Sequence, residues 1–156
     1  MSAVLVSGGA GGLGQALCRR LAEAGLTPII GYRSDRAAAE SLAEATNGLA
    51  LELDLNRGES IDAAITKLKG LSTPMQGLVL CASPPPVIGP FTKISETDLS
   101  DQWRVNVAGA QHLLAGVIKG CFKPHKTGTV VAVLTSAMGG EHEPASSNMG
   151  AYVIAK

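Results

Sequence analysis

Ser7-Gly8-Gly9-Ala10-Gly11-Gly12-Leu13-Gly14 follows the apolar run Ala3-Val4-Leu5-Val6 and opens a segment in which Leu13, Leu17, Leu21 and Ala24 recur at helical spacing up to Gly25, where a helix would stop. A strand turning through glycines into a helix brings two properties together. Glycine has no Cβ, so backbone can approach a ligand closely and take positive φ without strain. The first helical turn offers free N–H groups and a partial positive charge. The ligand that such a turn holds is an anion, typically a pyrophosphate. The candidate contact residues are Ser7, Gly8, Gly11, Gly12, Leu13 and Gly14. Their register stays open: Gly9, Gly11 and Gly14 fit G-x-G-x-x-G, Gly8, Gly12 and Gly14 fit G-x-x-x-G-x-G, and Gly8, Gly11 and Gly14 fit a third spacing.

Working outward, short apolar runs at 3–7, 27–32, 49–54, 77–82 and 129–135 alternate with helical segments marked by Ile61, Ile65 and Leu68 and by Val107, Leu114, Val117 and Cys121. This β-α-β alternation predicts an α/β domain, a doubly wound parallel sheet of the Rossmann-like nucleotide-binding kind. The runs are too continuously apolar for half-exposed strands, so each strand is expected to be buried on both faces. Ligands of such sheets bind beyond the carboxyl ends of the strands. There Ser83-Pro84-Pro85-Pro86 forms a stiff loop after the fourth strand.

The 156 residues suit one domain over 1–156. Positive and negative side chains balance at 13 each without runs of like charge, which argues against nucleic acid and membrane partners. Cys18, Cys81 and Cys121 are widely spaced in apolar surroundings, as expected of buried thiols in a reducing, cytoplasmic setting. No basic leader precedes the first apolar run, and no run is long enough to span a membrane. His142 is flanked by Glu141 and Glu143, but adjacent residues point different ways and no second ligand cluster exists, so no metal is expected. His112 and His125 read as isolated.

The second strand ends Gly31-Tyr32-Arg33-Ser34. A dinucleotide site that prefers NAD places an acid there for the ribose 2′-OH, whereas a cation there suits a 2′-phosphate. Arg33 can fork onto a phosphate and Ser34 can add a hydroxyl, which favours NADP(H) over NAD(H). Asp35 is the counter-signal, and it falls where it could instead start the next helix.

Further spaced features follow: Leu53-Asp54-Leu55 closing the third strand, Asn106 within Val105-Asn106-Val107-Ala108-Gly109, Ser136 ending the fifth strand, and Tyr152-Val153-Ile154-Ala155-Lys156. In this order, over the whole chain, the sequence resembles the classical short-chain dehydrogenase/reductase family. The resemblance implies an oxidoreductase that moves hydride between a nicotinamide cofactor and a small-molecule carbonyl or secondary alcohol, working as a homo-oligomer. It further implies that Asp54 and Leu55 meet the adenine, that the backbone of Cys81, Ala82 and Ser83 lines the cofactor, and that Ser136 holds the substrate oxygen. Tyr152 is then the acid/base, and Asn106 positions a water joining Lys156 to solvent. The pairing of Tyr152 with Lys156 makes independent chemical sense. An unperturbed tyrosine titrates near pH ~10 and needs a nearby cation to serve as acid or base at neutral pH, and residues i and i+4 share a helix face.

Three departures qualify the resemblance. Leu80-Cys81-Ala82-Ser83 replaces the family's Asn-Asn-Ala-Gly, removing an asparagine that helps brace the sheet. The stretch 136–152 is longer than usual. Family members also continue past the lysine, so the C-terminal strands are expected to be missing from this chain, either because a longer polypeptide has been cut or because it is a catalytically idle nucleotide-binding or association module. An extended-type enzyme, such as a sugar-nucleotide epimerase, is a third reading that the glycines permit and the Asn106 segment disfavours.

Overall fold

Along β1 (Ala3–Ser7) successive side chains enter opposite cores, Ala3 and Leu5 on one side and Val4 and Val6 on the other, as the twofold period of a strand dictates. In the computed structural model, which describes residues 2–144 and 146–156 and leaves Met1 and Ala145 outside, β2 (Thr27–Tyr32) divides Ile29 from Ile30 in this way. β4 (Met75–Leu80) does the same with Leu78 and Val79. With β3 (Leu49–Glu52) and β5 (Thr129–Ala132), these strands form a parallel sheet in the order β3-β2-β1-β4-β5. Helices α1 (Gly12–Glu23) and α2 (Arg36–Thr46) cover one face through Cys18, Ala39 and Leu42. Helix α3 (Gly58–Lys69) covers the other through Ile61, Ala64 and Leu68. A long helical run joins α3 there: α4 (Glu96–Trp103), a π-type segment Arg104–Gly109, α5 (Ala110–Val117), a second π-type segment Ile118–Phe122 and α6 (Lys123–His125). The chain ends in α7 (Gly150–Ala155). The sheet is the doubly wound α/β architecture expected from the sequence.

Burial on both faces holds for β1, β2 and β4 but not for the two edge strands. All four residues of β5 are exposed, Val130 at 40% and Val131 at 50%, and only Leu51 of β3 is fully buried. The helices centre on the middle of the sheet, so an apolar run at its edge reads like a core strand without being covered like one. The fourth strand stops at Leu80 rather than at residue 82, because the N–H groups of Cys81 and Ala82 turn to the hydroxyl of Ser7. Leu13 was part of the expected core stripe of α1, yet it is 55% exposed; Gly14 and Cys18 are the buried positions. His112 is not isolated, since its Nε2 lies 2.9 Å from an Asp62 carboxylate oxygen, linking α5 to α3. Among the described residues no helix is long and apolar enough to cross a membrane.

Two details place the helical run against the strand ends. Ser95 and Asp98 form a reciprocal cap that starts α4, and the Ser95 hydrogen bonds hold the Asp98 carboxyl below its ordinary range. Within the first π-type segment, a Cβ on Gly109 would fall on the carbonyl of Leu55, so only glycine lets the helix cross the loop after β3 so closely.

The thiol of Cys18 is wholly enclosed, and its burial, with Cys81 adding to it, pushes its pKa from 9.0 to about 11. A raised thiol pKa favours the neutral form in the fold, so stability is full below the unfolded value and is lost as pH rises from 9.0 through about 11. Burial acts in the same direction on Cys81 and Cys121. Urea unfolding is therefore expected to show the wild type losing on the order of 2–3 kcal/mol through this residue across that window. Cys18→Ala should give a flatter profile, and an equal slope in both proteins would refute the assignment.

Candidate functional site

The strand order reverses at β1, and beyond the carboxyl ends of β1, β2 and β4 lies a pocket of about 390 Å³. This is where open parallel sheets bind ligands. Its walls are the glycine turn (Gly8 and residues 10–14), the end of β2 (residues 31–35), the segment after β3 (residues 53–55), the loop after β4 (residues 81–84) and Val105. Thirteen of the residues along these walls thus come from four loops that are far apart in sequence, with the first turn of α1 (residues 12–14), the strand residues Gly31 and Tyr32 and Val105 completing the set.

The glycines divide by what surrounds them. Gly8 has φ +69°, and a Cβ there would stand 2.9 Å from Ala82 Cα. A Cβ on Gly14 would overlap the Gly8 carbonyl, and one on Gly9 would press on Ile30 at 3.0 Å. These three are needed for the turn to fold against its own scaffold. Gly12 differs, because a Cβ there meets nothing within 4 Å although the residue lines the pocket. Among the described residues nothing fills the space beside it. Helix α1 starts at Gly12 with no side-chain cap and no acid in its first turn. Its positive end is left open to an anion.

At the end of β2, Arg33, Ser34 and Asp35 all line the pocket, and they differ in what else they do. Asp35 caps α2, accepting a hydrogen bond from the Ala38 N–H at 3.0 Å. Arg36 pairs with Glu40 at 2.7 Å. Arg33 and Ser34 line the pocket, and among the described residues Arg33 forms no ion pair. Across the cleft, one carboxylate oxygen of Asp54 accepts from the Asn56 N–H at 2.9 Å, which fixes the acid on the pocket wall. Leu55 lines the pocket too, while its side chain packs in the core.

Ser7 is fully buried and does not line this pocket. Its hydroxyl donates to the Val79 carbonyl at 3.3 Å and accepts from the N–H groups of Cys81 (3.0 Å) and Ala82 (3.2 Å). A single hydroxyl thereby ties the end of β1 to the loop after β4, and holds Cys81, Ala82 and Ser83 at the pocket wall where an asparagine is lacking. The bracing was missed from sequence, because it joins residues 74 and 75 positions apart.

The four residues expected to do chemistry lie on three elements, Tyr152 and Lys156 sharing α7. Ser136 is exposed at the start of a tight turn, Ser136–Met138, which Thr135 caps by accepting from the Ala137 N–H. Tyr152 is half-buried on α7. Lys156 caps the end of α7 and donates from Nζ to the Val133 carbonyl at 3.1 Å. Burial pushes its ammonium below the usual lysine range, with the Cys81 thiol opposing the shift. Asn106 sits in the π-type segment, and its carbonyl oxygen is buried without a hydrogen-bond partner among the described residues. Asn106 and Lys156 both line a small cavity of about 60 Å³ that shares Leu55 and Ala82 with the larger pocket. The longer stretch 136–152 folds back on itself, Ser146 donating to the Ala137 carbonyl at 2.8 Å. Gln102, passed over in the sequence, is buried beside Asn106 and hydrogen-bonded to it; its only sequence signal is the i, i+4 spacing.

Fold and site together define a parallel α/β protein with a glycine turn and an uncapped helix at the point where the strand order reverses. The sequence pattern of the short chain dehydrogenase family matches residues 2–156, and the chain belongs to that family of oxidoreductases. A comparison with curated proteins gave no match. Among solved structures, a short-chain dehydrogenase from Streptomyces avermitilis is 24% identical with a TM-score of 0.87, the match covering 99% of this chain and 55% of that one. A xylitol dehydrogenase with NAD+ bound is 23% identical with a TM-score of 0.85, covering 99% and 59%. An alcohol dehydrogenase from the archaeon Thermococcus sibiricus, complexed with 5-hydroxy-NADP, is 21% identical with a TM-score of 0.83, covering 99% and 65%. The chain therefore spans between 55% and 65% of the length of these structures. At these identities what is shared is the fold.

Proposed function

We propose that this chain binds NADP(H) in the large pocket and carries the residues for hydride transfer between the nicotinamide and a small carbonyl compound or secondary alcohol. One observation carries the reading. The open α1 N-terminus, the unfilled space at Gly12, the unpaired Arg33 and Asp54 all face one cleft, which shares two wall residues with the cavity of Asn106 and Lys156. The donor set fits a dinucleotide: N–H groups of residues 12–14 for the pyrophosphate, Arg33 and Ser34 for a 2′-phosphate, and Asp54 with Leu55 for the adenine.

The bound cofactor would supply or accept the hydride. Ser136 would hydrogen-bond the substrate oxygen. Tyr152 would give that oxygen a proton in reduction and remove the hydroxyl proton in oxidation. Lys156, one helical turn on, would set a cation beside Tyr152. The Asn106 carbonyl would accept from a water in the shared cavity, which is mainly apolar but offers Asn106 and Lys156 as polar partners and is large enough to hold one. A small-molecule substrate, a cytoplasmic setting and self-association belong to the same reading. The free thiols support the second of these, and the exposed Val130, Val131 and Leu134 support the third.

The cofactor assignment is tested at Arg33. In Arg33→Ala, NADPH fluorescence titration is expected to show Kd rising roughly 10- to 100-fold, as for loss of a charge-assisted hydrogen bond, with NADH affinity unchanged. Equal loss for both cofactors, or tighter NADH binding by the wild type, would overturn the NADP(H) preference.

A second reading, a nucleotide-binding module without turnover, draws on the Lys156 ammonium donating to Val133 and on the Cys-Ala-Ser-Pro loop. It requires cofactor affinity without any reduction that depends on Tyr152.

A further inference from the structure

Gln102 is 1% exposed, and with Ser7 it is one of two buried polar side chains among the described residues. Its amide nitrogen donates to the Pro85 carbonyl at 2.7 Å, and its amide oxygen accepts from Asn106 Nδ2 at 3.2 Å. We propose that Gln102 is a positioning residue, which turns the Asn106 amide so that its carbonyl oxygen, and not its nitrogen, faces the cavity shared with Lys156. The proposal deepens the reading of Asn106 given above and rests on it.

The argument is one of donors and acceptors. Residues 84–86 are all proline, so this stretch of the loop has carbonyls to offer and no N–H groups. A carbonyl only accepts, so the Gln102 end that meets Pro85 must be its NH2. The other end, facing Asn106, must then be its oxygen. That oxygen in turn only accepts, so Asn106 must present its own NH2 and leave its carbonyl for the cavity. The observed pattern follows this logic: Asn106 Oδ1 is buried and has no partner among the described residues, and Asn106 lines the cavity. Without Gln102 the two ends of the Asn106 amide would compete for the cavity, and half the orientations would offer a donor where Lys156 already supplies one. The helix and the proline loop are also joined at this point, so the loop after β4 helps to aim a residue on the helical run.

Two substitutions test this in the full natural polypeptide. Gln102→Met keeps length but removes both hydrogen bonds. It is expected to lower kcat about tenfold, a fraction of what general acid–base catalysis supplies, with KM for NADPH unchanged. Gln102→Glu can replace the amide only when protonated, when its O–H donates to Pro85 and its carbonyl still accepts from Asn106. Its kcat relative to wild type should therefore approach one at low pH and fall as pH rises, a dependence that a packing role would not produce. A readout independent of turnover is the Asn106 side-chain amide by 15N NMR: its protons should exchange slowly in wild type and quickly in Gln102→Met.

A flat Gln102→Glu ratio across pH while Asn106→Ala lowers turnover, or unaltered Asn106 exchange in Gln102→Met, would overturn the positioning role. If Asn106 exchange quickens but neither Gln102→Met nor Asn106→Ala changes turnover, the positioning stands and the catalytic reading of Asn106 fails. If Asn106→Ala lowers turnover while Gln102→Met changes neither turnover nor exchange, the positioning alone fails.

Discussion

Tyr152→Phe is expected to lower kcat for carbonyl reduction by about 10²- to 10⁴-fold, the usual contribution of a positioned acid/base group, while NADPH binds as in wild type. The substitution removes one hydroxyl from a half-buried side chain on α7. That hydroxyl makes no hydrogen bond to the rest of the described chain, so the fold loses nothing it was using. The effect should appear in kcat and not in the affinity for cofactor, whose proposed site has no Tyr152 in its walls. Single-turnover reduction of a panel of ketones and aldehydes by the full natural polypeptide, followed through NADPH absorbance, is the measurement. Reduction by Tyr152→Phe at the wild-type rate would remove Tyr152 from the chemistry. Tight NADPH binding with no reduction by either protein would favour the binding module.

The second large effect separates two glycines two residues apart. In Gly14→Ala the new methyl would occupy the position of the Gly8 carbonyl, which belongs to the turn itself and cannot swing aside. Helix α1 would have to withdraw from β1, at a cost of about 1–3 kcal/mol or more for overpacking a tight site. NADPH binding should weaken by roughly 100-fold, about 2.7 kcal/mol, as the helix N-terminus leaves the cleft. In Gly12→Ala the methyl meets no protein atom, so the unfolding midpoint should stay within about 0.5 kcal/mol of wild type. Cofactor affinity should nevertheless fall, because that space is where a phosphate would come closest. Denaturant melts and NADPH titrations on both variants check this. Unchanged affinity in Gly12→Ala would place the pyrophosphate elsewhere and reopen the choice among the glycine registers.

The parts of the fold that were legible in the sequence are those governed by near neighbours. β1 and β2 have the expected limits because each apolar run is bounded by turn residues, and the end of α1 at Gly25, with φ +78°, is a local C-cap. Asp35 reads in the sequence as a counter-signal to Arg33 that could instead start the next helix, since both roles suit an acid after a strand. In the fold one of its oxygens accepts from the Ala38 N–H, while the residue also lines the pocket. The sequence pattern could not distinguish the edge strands β3 and β5 from central ones, because apolar composition does not say which strand has a neighbour on both sides.

For the candidate site, the glycine turn, Arg33 and the Tyr152–Lys156 spacing could be read from the chain because each is a short-range pattern tied to a local conformation. Their convergence was not written in any one segment. The sheet order brings the ends of β1, β2 and β4 to one cleft, and the close crossing at Gly109 carries Asn106 toward Lys156. Hydrogen bonds between residues distant in sequence were equally invisible: Ser7 looked like part of the phosphate turn, yet its hydroxyl serves the loop after β4, and Gln102 gave no sign of reaching Pro85. By itself, then, the sequence determined the α/β alternation, the glycine turn and the order of the motifs, since backbone conformation and hydrophobic period depend on residues a few positions apart. Which strands lie at the edge, which polar groups brace the loops and which way the Asn106 amide faces were decided only by the tertiary structure, because burial and hydrogen-bond direction are set by partners that the chain brings together from dozens of residues away.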